Sequence, residues 1–303
     1  MNVYNLGNEM VKFLSQLSEV FRQRYLKTHE RYLKSIADII AYLYGGGSWE
    51  KKCSKMVERL MRAGDIGERR VDTDFETSHF RNLRNCWYHE CALNYPWGDL
   101  DSRLKFAAWK IIQCYYTVFS AIASLVCVFH PKRKSHGALL NIYAREFLSC
   151  SKWKKFFLPP VNFYLNQQGK LPEEFLKMVN WQYADSYHIP NIVECLKSVQ
   201  TRRPMLVSIP HYLKVLRDWV TYGDAYLFFR LYGQSPKENL DFSLSNIAFI
   251  HCVQTEFFLI KLFGWKAVKL QYDTFSTELK NNLGIRSQTL EARFTIYSQR
   301  FVE

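Results

Sequence analysis

Arg81-Asn-Leu-Arg84-Asn85-Cys-Trp-Tyr-His89-Glu90 is the stretch from which the rest of the chain can be read. Around it, Phe80, Leu83, Trp87 and Cys91 recur at intervals of three and four, the spacing of one face of an α-helix. The stretch therefore predicts a helix with a buried back and a polar front. At about 100° per residue, His89 lies nearly opposite the apolar stripe, with Asn85 one turn earlier and Arg81 one turn before that. Arg84 stands about 140° from His89 on an ideal helix. The two converge only through an irregular helix, through the reach of the arginine side chain, or through a second chain. The residue types suit phosphate chemistry. Guanidinium holds phosphate, imidazole moves protons near neutral pH, and an amide orients either.

Outward from this helix the pattern stays helical. In residues 2–45, Val11, Leu14, Leu17, Phe21 and Tyr25, then Tyr32, Ile36, Ile39 and Ile40, repeat at three and four. Gly45-Gly46-Gly47 stops that run and Ser48 is a good N-cap for the next helix, which points Met56, Leu60 and Met61 inward. Residues 68–76 read as a charged loop, and Thr77-Ser78 can cap the helix of the opening stretch. Pro96 and Gly98 end it. A long apolar helix is predicted over 104–129. Its uncharged segment from Ile111 to Phe129 is long enough to span a bilayer. Gln113, Tyr115, Tyr116, Thr117, Ser120 and Ser124 within it favour a buried core helix instead.

A helix over about 136–149 carries Leu139, Leu140, Tyr143 and Phe147. Residues 156–210 are the least regular part, interrupted by Pro159-Pro160, Pro172, Pro190 and Pro204, with Met205–Ile209 as the one short β-like run. Tyr212, Leu213, Leu216, Trp219 and Val220 mark a later helix. Phe242, Ile247, Ile250, Val253 and Phe257 mark another over about 240–263, stopped by Gly264. A last helix is expected near 288–300. The expected class is all-α, a helical bundle with additional helices. The division expected is a helical region over 1–155, an irregular insert or linker over 156–210, and a C-terminal helical region over 211–303 packing on the first. There is no internal repeat, no phosphate-binding glycine loop and no heptad run.

Hydrophobic residues make up 48% of the 303, enough for a substantial core. The net charge of +13 attracts polyanions. Part of the surplus is local: Lys132, Arg133, Lys134, Arg145, Lys152, Lys154 and Lys155 stand against Glu146, with Trp153 among them. That is the composition of a phosphate-gripping surface, or of a pair of solvated loops. The eight cysteines are scattered, and Met1-Asn-Val-Tyr-Asn-Leu-Gly is not a secretory opening. Reduced, buried thiols in a cytoplasmic protein fit best. Cys86-x4-Cys91 around His89 matches no common zinc spacing, so no metal and no cofactor are expected.

Metal-free RNA cleavage needs a proton acceptor near neutral pH for the 2′-OH, a donor for the leaving 5′-oxygen, and a cation for the phosphoryl oxygens. His89 suits proton transfer, Arg84 suits charge stabilisation, and Asn85 can fix the imidazole tautomer or bind a phosphate oxygen. One histidine does not easily serve as acid and base in one step, whereas a symmetric dimer supplies a second copy. Arg81 and the basic residues Lys132, Arg133, Lys134, Lys152, Lys154 and Lys155 are the candidate RNA contacts. The structural alternative pairs Arg84 with a carboxylate such as Glu90 or Asp99 and leaves His89 an ordinary surface histidine. His136 suits a helix start, and Asp72, Asp74 and Glu76 a solvated loop.

Arg84-Asn85-x-x-x-His89 resembles the signature of the HEPN superfamily: an arginine, four to six residues, then a histidine, often with a polar residue directly after the arginine. Gln113-Cys-Tyr115-Tyr116-Thr-Val-Phe119-Ser-Ala121, followed by Lys134-Ser-His136-Gly137-Ala-Leu, is similar to the paired opening helices of non-catalytic HEPN domains. Arg217-Asp-Trp-Val-Thr-Tyr222-Gly-Asp224 is similar to a later helix of that domain. The resemblance implies a metal-independent endoribonuclease of a toxin or phage-defence type, with Arg84, Asn85 and His89 catalytic. It also implies RNA as substrate, a homodimer or larger homo-oligomer, an antidote or defence-system partner, and no membrane. The chain is longer than a minimal HEPN domain, and the signature precedes the helices most like that fold. The alternatives are a non-catalytic RNA- or DNA-binding subunit and a helical interaction scaffold.

Overall fold

Helices account for nearly all the regular structure in a computed structural model that describes residues 19–45, 47–64, 66, 78–95, 107–130, 135–149, 153–157, 164–166, 168–171, 188–199, 206–222 and 238–301. They are α1 (Glu19–Tyr44), α2 (Trp49–Arg62), α3 (Ser78–Asn94), α4 (Ala107–Phe129), α5 (His136–Ile142), α6 (His188–Val199), α7 (Ile209–Tyr222), α8 (Glu238–Phe263), α9 (Trp265–Leu283) and α10 (Gln288–Arg300). The all-α class expected from the periodicity is what the chain adopts. Among the described residues the strands are two short pieces, β1 (Tyr164–Leu165) and β2 (Val207–Ser208), paired antiparallel with Tyr164 opposite Ser208. The second lies inside the β-like run at 205–209.

The chain divides into two compact units that interleave in sequence: residues 1–40, 95–116 and 158–247 form one, and residues 41–94, 117–157 and 248–303 the other. In the first unit, Tyr32, Leu33, Ile36, Ile39 and Ile40 of α1 are buried, as are Ile192, Cys195 and Leu196 of α6 and Tyr212, Leu213, Leu216, Trp219 and Val220 of α7. Its buried polar groups are largely neutral. Asn191 Nδ2 donates to Ser35 Oγ at 2.9 Å, and His29 Nδ1 is hydrogen-bonded to the Tyr212 hydroxyl at 2.8 Å. Burial lowers the His29 pKa to about 3, because an imidazolium there would lose its hydration. Arg217 lies over the rings of Tyr115, 4.9 Å away, and Tyr116, 5.5 Å away, and pairs with Asp218 at 3.1 Å. Val11, Leu14 and Leu17 lie outside the described residues.

In the second unit, Ser48 caps α2 by accepting from the Lys51 backbone N–H at 3.4 Å, as its residue type predicts. Met56 and Leu60 are inward, but Met61 is 41% exposed. Phe242 on α8, in the first unit and also expected inward, is 45% exposed. Met61 sits on the flank of the α2 stripe and Phe242 is turned away from buried Leu240, Ser243, Leu244 and Ile247, so helical phase rather than hydrophobicity decided their side. Ser135 caps α5, accepting from the Ala138 backbone N–H at 3.2 Å, and the His136 ring stacks on Phe119 at 3.9 Å.

The helix expected to continue to 149 changes after Ile142 into a π-helical segment, Tyr143–Leu148. There Ser149 N–H reaches back five residues to the Ala144 carbonyl at 3.1 Å. Tyr143 and Phe147 both point inward, and Phe147 meets Phe129, Phe157 and Phe258 with ring centres 5.3 to 5.9 Å apart.

A single residue, Gly264, separates α8 from α9; its φ of +83 is a conformation that side chains disfavour, which is why glycine stands at this corner. The apolar segments Ala108–Phe129 of α4 and Leu240–Phe263 of α8 are long enough to cross a membrane, but 78% and 89% of their most apolar windows lie buried inside the protein.

Candidate functional site

Helix α3 is α-helical without a break from Ser78 to Asn94. Its apolar back is the stripe read from the sequence: Phe80, Leu83, Trp87 and Cys91 are all buried. Phe80 meets Phe263 at 5.3 Å between ring centres, and Trp87 meets Phe275 at 5.3 Å and Phe294 at 5.6 Å. Ser124 Oγ donates to the His79 carbonyl at 2.7 Å, tying the second half of α4 to the start of α3.

Behind the stripe lies an ionic cluster with no exposure at all. Arg293 of α10 donates through Nη1 and Nη2 to the two oxygens of Glu90, at 2.5 and 2.7 Å. Its Nε and Nη2 also reach the two oxygens of Glu256 on α8, at 2.7 and 2.9 Å. Trp87 Nε1 donates to Glu256 at 2.7 Å and the Tyr297 hydroxyl donates to it at 2.9 Å. The guanidinium plane also lies 5.3 Å from the Phe249 ring centre. Each oxygen of Glu256 thus accepts two hydrogen bonds, which fills its lone pairs and leaves no place for a proton.

Burial raises the Glu256 pKa above the usual carboxylate range while Arg293 opposes the rise. Desolvation works against the charge on Arg293, but Glu256 and Glu90 hold its pKa well above the usual guanidinium value. Burial and Glu256 together raise that of Tyr297. Removed from solvent on every side, this cluster cannot meet a substrate. What it does is fix the rotation of α3 against α8 and α10 through a fork that tolerates little displacement.

Arg81, Asn85 and His89 stand on the front of α3, and Arg84 beside the apolar stripe on the side of α9. Arg81 and Asn85 are exposed, while Arg84 and His89 are half-buried. Arg84 does not pair with Glu90, whose carboxylate belongs to Arg293; its Nη1 donates to Gln271 Oε1 on α9 at 2.6 Å. Asp99 lies outside the described residues. Because α3 is regular throughout, Arg84 and His89 keep the divergence of about 140° that an ideal helix imposes. Convergence through a local distortion is therefore closed, and the length of Arg84 or a second chain remains. Tyr88, between them in sequence, is 41% exposed, with its ring edge on Phe275 at 4.7 Å and its hydroxyl 3.5 Å from Glu278.

Cys86 turns the other way, its Sγ lying 3.4 Å from that of Cys252, and both are buried free thiols. Among the described residues no group of three metal-ligating side chains gathers. Of the basic candidates, Lys132, Arg133, Lys134 and Lys152 lie outside the described residues. Lys154 and Lys155 begin the single helical turn Lys154–Phe157, and their side chains are likewise not described. Arg145 is exposed and pairs with Glu146 at 3.2 Å, and Glu146 also takes His130 at 2.8 Å.

Sequence reasoning did not single out Glu256, Gln271, Arg293 or Tyr297. A signal for Glu90 was present: it lies seven residues after Leu83, within about 20° of the apolar stripe. Arg293 likewise stands three residues after buried Leu290 and four before buried Tyr297. A charge at the centre of an apolar stripe requires a buried opposite charge. No family model, curated protein or solved structure matches the chain.

Proposed function

We propose that this chain is a metal-independent endoribonuclease of the HEPN type, acting as a homodimer in which His89 and Arg84 of two copies complete one site. The observation that supports the reading most is the division of α3 into a locked back and an open front. The back is held by the buried Glu90–Arg293–Glu256 cluster, the front carries Arg81, Asn85 and His89, and Arg84 stands on the flank towards α9, in the order of the resemblance. A net charge of +13 and an all-α fold are in keeping with it. In the reaction, one His89 takes the proton of the ribose 2′-OH as that oxygen attacks the neighbouring phosphorus. The His89 of the second copy gives a proton to the departing 5′-oxygen. The Arg84 guanidinium neutralises charge on the non-bridging oxygens. A dimer meets the divergence of Arg84 and His89 without distorting either helix. A toxin or phage-defence role, with an antidote or other partner, follows from the resemblance and belongs to the same proposal.

The regular course of α3 favours one second reading, a non-catalytic RNA-binding subunit in which Arg81, Arg84 and Asn85 contact phosphates and His89 has no proton to move. RNA cleavage in the presence of EDTA, by wild type and by His89→Ala, separates the two. Loss of cleavage by at least a hundredfold in the variant, with its melting temperature unchanged, supports catalysis; equal cleavage by both overturns it. Absence of cleavage together with binding that weakens steeply with salt establishes the binding subunit.

A further inference from the structure

We infer that the groove between α9 and α10 binds single-stranded RNA, with Lys280 and Arg286 on a phosphate and the rings of Trp265 and Tyr272 on a neighbouring base. The choice of RNA rests on the function proposed above; the groove itself uses neither Arg84 nor His89. Two adjoining pockets, of about 240 and 330 Å³, follow the seam of the two helices and share Tyr272 and Glu291. On α9 the lining is Trp265, Lys269, Tyr272, Ser276 and Lys280, at steps of four, three, four and four. That is one helix face, beside the buried stripe of Val268, Gln271, Phe275 and Leu279. The buried stripe does the packing. The lining row carries aromatic, hydroxyl and cationic groups that packing does not require.

These groups suit a nucleotide. Lys280 and Arg286 are exposed, and among the described residues neither side chain has an ion-pair or hydrogen-bond partner; Lys269, by contrast, pairs with Asp273 at 2.5 Å. Arg286 stands in the short connection between the helices, which brings it to the same pocket as Lys280. Tyr272 lies flat on Phe294, with ring centres 3.9 Å apart and planes 8° apart, and Trp265 meets Phe294 at 5.8 Å. Phe294 is buried and holds both rings in place, while their remaining surface lines the groove. Rings fixed in this way accept a base at little ordering cost. Glu291 narrows the choice. A carboxylate accepts hydrogen bonds and donates none, so it repels a bare anion and suits ribose hydroxyls and base amines. Cations, rings and one acceptor together match a nucleotide unit rather than an inorganic anion. A base inside a duplex shows a protein only its edges, so the strand that stacks here is single.

Two paired substitutions in the full-length chain test this against a general effect of charge. Lys280→Ala with Arg286→Ala empties the groove of its unpaired cations. Lys34→Ala with Lys197→Ala removes the same charge from exposed positions on α1 and α6. The probe is a fluorescent single-stranded RNA oligonucleotide, with affinity measured across a salt series and cleavage measured in EDTA. The groove pair is expected to melt with wild type, to bind at least about tenfold more weakly, and to lose up to two phosphate contacts, a fall of about 0.7 to 1.4 in the slope of log affinity against log salt. The control pair is expected to weaken binding by less than about threefold with the slope unchanged. Ultraviolet crosslinking of wild type to a strand carrying 4-thiouridine, mapped by mass spectrometry, is expected to mark the α9 peptides that contain Trp265 or Tyr272.

Equal losses from the two pairs overturn the inference, because net charge alone then explains binding. A wild-type slope in the groove pair, or crosslinks confined to peptides outside α9 and α10, overturns it as well. Failure of the endoribonuclease reading is registered separately, by wild type that binds but does not cleave. In that case the salt slope of the groove pair still decides the role of the groove. Wild type that neither binds nor cleaves the oligonucleotide overturns both.

Discussion

The two compact units differ in how completely they bury charge. The unit of α6 and α7 buries neutral pairs, an imidazole on a phenol and an amide on a hydroxyl, while its buried cations Arg217 and Lys110 reach the carboxylates of Asp218 and Asp241, which retain some exposure. The unit of α3, α9 and α10 buries full charges, one guanidinium between two carboxylates with an indole and a phenol completing the set. Neutral pairs are satisfied by a single hydrogen bond and tolerate some play. A buried ionic cluster has little net stabilising value over well-packed apolar residues, yet it is intolerant of misregistration, since each charge left alone carries a large desolvation penalty. The second unit thus trades stability for a single allowed orientation of α3, the helix that carries the candidate site.

The largest way to break this comparison is Arg293→Met. It strands Glu90 and Glu256 in a dry interior and is expected to cost about 3–5 kcal/mol, measured by urea unfolding. Adding Glu90→Gln and Glu256→Gln to that variant sharpens the point, since removing the stranded charges should recover much of the loss. No recovery would mean that the cluster acts through packing alone.

Acid is next, and it addresses the other unit. His29 is neutral when folded, with a pKa near 3 against 6.5 in the unfolded chain. A depressed folded pKa gives stability that is fully present above 6.5 and lost as pH falls towards 3. The loss approaches about 1.4 kcal/mol per pH unit between those limits. Melting temperature measured from pH 7 to 4.5 should fall in wild type and fall less in His29→Gln; parallel curves would exclude His29 as the cause. Trp87→Phe follows in size. It removes one donor from fully buried Glu256, and a loss of about 1–3 kcal/mol is expected in the same unfolding assay. At the small end, Arg81→Ala and Asn85→Ala on the open front should change stability by no more than about 0.5 kcal/mol.

The sequence made some of this legible and hid the rest for definite reasons. The back of α3 was readable because Phe80, Leu83, Trp87 and Cys91 are neighbours through helical periodicity alone, and periodicity is local. The cap at Ser48 and the corner at Gly264 follow from residue type. The pairing of Glu90 with Arg293 was not readable, because the residues are 203 positions apart and a lone charge on a helix ordinarily faces water. Gln271 was hidden likewise: its partner lies 187 residues away, and glutamine is an ordinary surface residue. Met61 and Phe242 are expected inward on hydrophobicity, but helical phase turns both away from the buried faces of α2 and α8.

The separation of Glu90 from Arg293 has a consequence in time. A ribosome adding about 5–20 residues per second makes α3 roughly 10–40 s before it makes α10, given the 203 residues between the two charges. Through that interval the emerging α3 can bury its aromatic back only by also burying an uncompensated carboxylate. Native docking of the helix is therefore withheld until the last stretch of the chain has been made. A nascent chain cut short before Arg293 keeps the residues of the candidate site but lacks the cation that fixes their helix.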